Sequence, residues 1–212
     1  MIALQIAIAT ILQIFSMLFL YYTGKGNDKH KKIKNWYIVI LSMGFTFIVA
    51  MIAGVSSSNL LGFIKMVMLF QIIFCAAVTD YKRRIIPNVL VMFGVIFRSI
   101  CFLFEFIWYR SSLNDILIQD IMGLFAGAGV LFVVYLFAKH AIGLGDIKLF
   151  VVIGITCGFQ LTYLVLFMSF LLAACYGIFL ILFRKKQKNY EMAFAPFILI
   201  GYILSLFISI PS

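Results

Sequence analysis

Met66-Val-Met-Leu-Phe-Gln-Ile-Ile-Phe-Cys-Ala-Ala-Val-Thr-Asp80-Tyr-Lys-Arg-Arg-Ile-Ile-Pro87-Asn88 is an apolar run that ends on an acid, three bases and a proline. Extended back to residue 61, the run is long enough for a helix to cross the roughly 30 Å hydrocarbon core of a bilayer. The charged cluster then marks the boundary with water. Pro87 suits the start of the next helix, because its missing N–H is not needed there, and Asn88 can cap that helix. The same alternation of apolar run and short polar turn recurs along all 212 residues.

Composition agrees. With 65% hydrophobic residues, 24 Phe, 11% charged residues and a mean hydropathy of +1.17, the chain does not fit a soluble domain. Spans are expected at 2–22, 36–54, 61–79, 89–108, 117–138, 146–159, 161–183 and 196–211. The expected fold is an all-α integral membrane protein, a polytopic bundle of about eight transmembrane helices. It forms one domain over 1–212, with two N-terminal spans in 1–54 and a core at 61–211. The first run, Ile2 to Tyr22, lacks a basic leading region and a small-residue cleavage site, so it reads as a retained span. The pair at 146–159 and 161–183 is the least clearly separated, since Gly158 to Thr162 offers little turn signal.

Charge sets the orientation. The net charge is +10, and fourteen of the 17 Lys and Arg fall in four segments: five between Lys25 and Lys34, three at Lys82 to Arg84, Lys139 with Lys148, and four from Arg184 to Lys188. Alternating spans put all four segments on one side, which the positive-inside rule makes the cytoplasm. Both termini then face outward, and fusing the 146–159 and 161–183 spans would throw Arg184 to Lys188 to the wrong side. The chain is accordingly expected in the cell membrane, crossing it several times. Placed in this way the basic residues serve topology, and nucleic acid is not an expected partner. The lysines of Thr23 to Asn35 sit most simply against anionic lipid headgroups.

Other residue types exclude further chemistry. Cys75, Cys101, Cys157 and Cys175 all lie in apolar runs with no Cys-x-x-Cys pair, so neither a disulfide framework nor a zinc site is expected. His30 and His140 are far apart in basic loops. Arg98 falls within a span, with Glu105 two turns along the same face and Asp120 entering the next; a buried Arg needs a partner, and either acid can serve. Lys65 can extend outward from its span end. Gly123, Gly127 and Gly129 suit close helix packing.

Two of the seven acidic residues stand apart. Asp80 closes the run at 61–79, and Asp146 opens another within Gly143-Leu-Gly145-Asp146-Ile-Lys148-Leu149. Two crossings separate them, so both carboxylates return to one face of the bilayer, the cytoplasmic one. Either alone is an ordinary boundary residue. Two carboxylates within a few ångströms cannot both ionise easily and share a proton. Such a pair supplies a base to activate water and an acid for the leaving amine. Gly143 and Gly145 permit backbone conformations closed to other residues and close approach of an extended peptide; they read equally well as a break between spans. Lys82, Arg83 and Arg84 are topology determinants that can also hold Asp80 ionised. Lys148 either acts on Asp146 or extends to the interface.

These segments resemble those of the type IV prepilin peptidases, membrane aspartic proteases that process prepilins and pseudopilins. The family pattern is an Asp followed by Ile-Pro-Asn or Ile-Pro-Asp, then Gly-x-Gly-Asp-x-Lys-Leu two spans later. Here they are Asp80 with Ile86-Pro87-Asn88, and Gly143 to Leu149. Ala193-Phe194-Ala195-Pro196-Phe197 with Gly201 is similar to the start of the family's last span. Presenilins and signal peptide peptidases share Gly-x-Gly-Asp, but the flanks favour the prepilin branch. The resemblance implies an Asp80–Asp146 catalytic dyad, supported by Gly143, Gly145, Lys148, Pro87 and Asn88. It implies substrates with a short basic leader and a hydrophobic N-terminal helix. Larger members carry two Cys-x-x-Cys pairs between the first two spans, accompanying N-methylation; Thr23 to Asn35 has no cysteine. Methyltransferase activity, S-adenosylmethionine and zinc are therefore not expected, and no cofactor is. The rival functions are a small ion-coupled transporter using Asp80, Asp146, Arg98 and Asp120 as pathway charges, and a non-catalytic subunit of a pilus or secretion apparatus. The sequence sets no oligomeric state.

Overall fold

The structure, a computed structural model, describes residues 9–11, 13, 14, 44, 46, 49, 50, 52, 59–137, 142–184 and 192–209. The expected spans at 2–22 and 36–54 are described at only a few positions. Thr23 to Asn35, Lys139, His140, Lys185 to Lys188 and both termini lie outside the described residues.

Among the described residues every regular element is helical. Helix α1 spans Leu60–Arg83 and α2 spans Asn88–Trp108. A 3₁₀ turn, Arg110–Ser112, leads into α3 (Leu113–Leu124), a π-helical turn (Phe125–Gly129) and α4 (Val130–Phe137). Helix α5 covers Leu144–Arg184 and α6 covers Ala195–Ile208. Among the described residues four stretches are long and apolar enough to cross a membrane: Leu60–Arg83, Asn88–Trp108, Arg110–Phe137 and Leu144–Leu182. They overlie the runs expected from residue 61 to residue 183.

Helix α1 is the central pillar. It is apolar on all sides, and every residue from Val67 to Ala77 is buried, as an all-round apolar helix requires. Helix α2 is one-sided. Leu90, Gly94, Arg98, Cys101 and Glu105 face inward at helical spacing, while Val89, Met92, Ile96, Leu103 and Ile107 are exposed. An uncovered apolar stripe of that length suits hydrocarbon, not water.

The 41 residues of α5 do not form one straight rod. Gly158 has φ 70° and ψ −174°, a backbone conformation outside the helix and open essentially to glycine alone. Its consequence is visible at Gly127. A side chain begun there would meet Thr162 Cγ2 at 2.8 Å and Phe150 Cδ1 at 3.1 Å. Those two atoms are thus no more than about 6 Å apart, whereas a straight helix would set the two residues about 18 Å apart along its axis. The chain therefore folds back at Gly158, giving a first arm (144–157) and a second arm (159–184). A single glycine makes the reversal for which the sequence offered little turn signal.

Small residues let the arms pack tightly. Gly123 of α3 and Gly154 of the first arm cross so closely that a methyl on Gly123 would stand 2.4 Å from the Gly154 carbonyl oxygen. Gly94 of α2 accommodates Val152, and Gly201 of α6 accommodates Ser169 of the second arm. Tyr202, wholly buried, donates its hydroxyl to the Met66 carbonyl at 2.8 Å and ties α6 to α1.

Arg98 pairs with both of its expected candidates, Glu105 and Asp120. One expectation changes. Lys65 does not extend outward; it pairs with Glu105, because a buried carboxylate already in contact with Arg98 still has a second oxygen to satisfy.

Candidate active site

Asp80 lies in the last turn of α1 and Asp146 in the first turn of α5. Both are buried, at 8% and 9% exposure, and the charge of Asp80 acts on Asp146. The fold thus brings together two acids that the sequence separates by two spans.

Each carboxylate is held by a chain end. Asp80 Oδ2 accepts the Ala195 N–H at 3.1 Å, and the Phe194 N–H also reaches the carboxylate. Both donors belong to the start of α6, where the first N–H groups of a helix have no partner within it. Pro196 in the first turn fixes that start. The sequence marked Ala193 to Phe197 by resemblance only and missed this contact. Pro196 was the available signal, since it announces free N–H groups beside it. Arg84, at φ 55°, ends α1 by donating its backbone N–H to the Asp80 carbonyl at 2.8 Å, and its charge acts on the Asp80 side chain.

Asp146 occupies the third helical position of α5. The Gly143 carbonyl accepts the Asp146 N–H at 3.0 Å, while the Gly143 N–H acts on the Asp146 carboxylate. This is the reciprocal logic of a capping box. The acid is thereby fixed by its own helix start.

The two motif glycines act by size and not by unusual backbone angles. Among the described residues Gly158 is the glycine with positive φ, so Gly143 and Gly145 do not use that freedom. A methyl on Gly143 would lie 3.2 Å from Asp146 Oδ2, and one on Gly145 would lie 3.2 Å from Ile86 Cβ. Gly143 leaves room for the carboxylate. Gly145 leaves room for the turn that follows Asp80.

Pro87 and Asn88 also exchange roles relative to expectation. Pro87 itself occupies the N-cap of α2, at φ −64° and ψ 130°, with no side-chain cap. Asn88 is the first helical residue, and its Oδ1 accepts Lys148 Nζ at 2.9 Å. That bond joins the start of α2 to the start of α5. Lys148 is thus a link between the two motif segments.

The same stretch carries the likeness to known proteins. The model of the type IV leader peptidase family matches residues 66–178. A prepilin leader peptidase/N-methyltransferase of Bacillus subtilis (strain 168) is 31% identical over 157 residues, which are 72% of this chain and 59% of that protein. A protein of the same name from Aeromonas salmonicida (strain A449) is 34% identical over 91 residues, covering 41% of this chain and 31% of its own. The chain therefore spans less than two thirds of the length of the curated relatives it matches. No solved structure matches it.

Proposed function

The chain belongs to the type IV leader peptidase family, and on that premise we propose that it is a membrane aspartic endopeptidase removing the short basic leader of prepilins or pseudopilins. The observation that carries this reading is the meeting of Asp80 and Asp146, both buried and coupled by charge, at the ends of two helices. Lys82, Arg83, Arg84 and Lys148 cluster at those same ends. By the positive-inside rule they favour a cytoplasmic active site, and with it the eight-span topology with both termini outside.

The chemistry follows from a shared proton. The ionised carboxylate takes a proton from water as the water oxygen bonds to the scissile carbonyl carbon. The protonated partner gives its proton to the carbonyl oxygen. Collapse of the tetrahedral diol breaks the C–N bond, and a proton passes to the amine nitrogen. The products are a leader with a new carboxylate and a mature chain with a new amine. A coupled pair titrates as a unit, so base and acid belong to the dyad jointly.

The decisive test uses purified protein in detergent with prepilins and pseudopilins, followed by N-terminal sequencing. A new N-terminus at the junction of the basic leader and the hydrophobic helix, without methylation, is expected. Substrates that all stay intact would sink the peptidase reading. The transporter alternative is weakened because Arg98 and Asp120, which it needs as pathway charges, engage each other.

A smaller effect is expected at the Lys148–Asn88 link. Because this contact is exposed, Lys148→Met or Asn88→Ala should slow cleavage by less than about tenfold. The double variant should lose no more than either single one, as two ends of one contact do. A loss at Lys148 as large as at the aspartates would make it part of the chemistry instead.

A further inference from the structure

Toward the other end of α1 from Asp80 lies a compensated cluster of four charges. Arg98, buried midway along α2, donates from Nη1 to Glu105 Oε2 at 2.8 Å and from Nη2 to Asp120 Oδ2. Glu105 Oε1 accepts Lys65 Nζ at 2.7 Å. Two positive and two negative groups cancel, as charges at membrane depth must. Charge balance does not account for the remaining contact: Arg98 Nε donates to the carbonyl of Ile155 at 2.6 Å.

Ile155 stands just before Gly158, where the first arm of α5 ends. The last four carbonyls of a helix have no donor within it, and hydrocarbon supplies none. Among the carbonyls at that end, Ile155 receives a donor from Arg98. The same arm carries Asp146 in its first turn, about nine residues and 13 Å earlier along the axis. The guanidinium that holds the arm's far end is itself oriented by carboxylates of α2 and α3. Through Glu105 and Lys65 the contacts continue to α1, the helix that carries Asp80.

We propose that Arg98 is a positioning residue: by capping Ile155 it sets the axial height of the first arm, and so the register at which Asp146 meets Asp80. This inference rests on the peptidase reading for its kinetic consequence, but its geometric consequence stands separately. Arg98→Lys keeps the charge balance, yet one ammonium cannot serve three acceptors in the planar fork that a guanidinium offers. Its cleavage should show kcat lowered at least tenfold and KM within twofold of the parent, since alignment is lost and substrate contact is not. A second variant, Arg98→Gln with Asp120→Asn, removes one charge of each sign and should behave alike, which keeps the test valid if the first fails to fold.

The geometric arm uses spin labels at exposed Tyr81 and Leu144, in a background with the four cysteines replaced, and reads the distance between the starts of the two segments. The expected result is a shifted or broadened distance in both variants relative to the labelled parent. Altered distances with no cleavage by the parent would leave the positioning role intact and end the peptidase reading. Unaltered distances, or an unaltered kcat in a cleaving protein, would overturn the role of Arg98.

Discussion

Asp80→Asn and Asp146→Asn are each expected to lower leader cleavage by about 10³-fold or more, the scale of a lost acid–base group, while the variants insert and fold as before. The substitution is nearly isosteric. In the Asp80→Asn variant the side-chain amide oxygen can still accept the Ala195 N–H that Asp80 Oδ2 accepts at 3.1 Å, so the link to α6 survives. What disappears is the ability to hold or release a proton. On the proposed dyad chemistry the double variant should be no slower than either single one, a non-additivity that separates a dyad from two independent contributors. Stability should not fall, since a buried carboxylate is replaced by a neutral group of the same shape. The measurement is the initial rate of cleavage of a prepilin at equal concentrations of folded protein, with thermal unfolding recorded alongside. If either single variant kept a tenth of the parent rate, shared-proton chemistry would be excluded.

How far the sequence foretold this site depends on the kind of force involved. Transfer of apolar side chains out of water is legible residue by residue, so the runs from residue 61 onward appear as helices nearly where hydropathy puts them. The pairing of Asp80 with Asp146 was legible because parity of crossings constrains which ends share a face. Contacts between chain ends were not. The Phe194 and Ala195 N–H groups at Asp80, and the turn of Asn88 toward Lys148, depend on packing angles that no spacing encodes. The glycines show the same division. Gly143 and Gly145 were expected to supply backbone freedom, whereas in the fold they leave room for Asp146 and Ile86. Gly158, which carried little local signal, is the glycine whose freedom the fold needs.

The second large effect is expected at one such position. Gly123→Ala should destabilise the protein by about 3 kcal/mol, the upper range for overpacking a well-filled site. The new methyl would stand 2.4 Å from the Gly154 carbonyl oxygen and 2.7 and 2.8 Å from the carbonyl carbon and oxygen of Gly158. All three are backbone atoms, at the crossing of α3 with the first arm and at the reversal itself. No rotamer change can clear them. The helix-propensity gain of about 1 kcal/mol on replacing glycine is too small to offset that clash. Gly127→Ala should cost less, about 1–2 kcal/mol, because its nearest obstacle is Thr162 Cγ2 at 2.8 Å, a side-chain tip that can rotate. Among the described residues the Thr162 hydroxyl has no hydrogen-bond partner that rotation would lose. Gly129→Ala should be near neutral, within about 0.5 kcal/mol, since it meets only Phe125 at 3.5 Å. Thermal unfolding of the three purified variants in one detergent should therefore rank them Gly123, Gly127, Gly129 from most to least damaged. Moving α3 off the first arm also displaces the helix that carries Asp146 in its first turn, so surviving Gly123→Ala protein should cleave more slowly per folded molecule. Equal stability of the three variants would mean that α3 and the first arm do not cross at Gly123 and Gly154, and the reversal at Gly158 would lose its support.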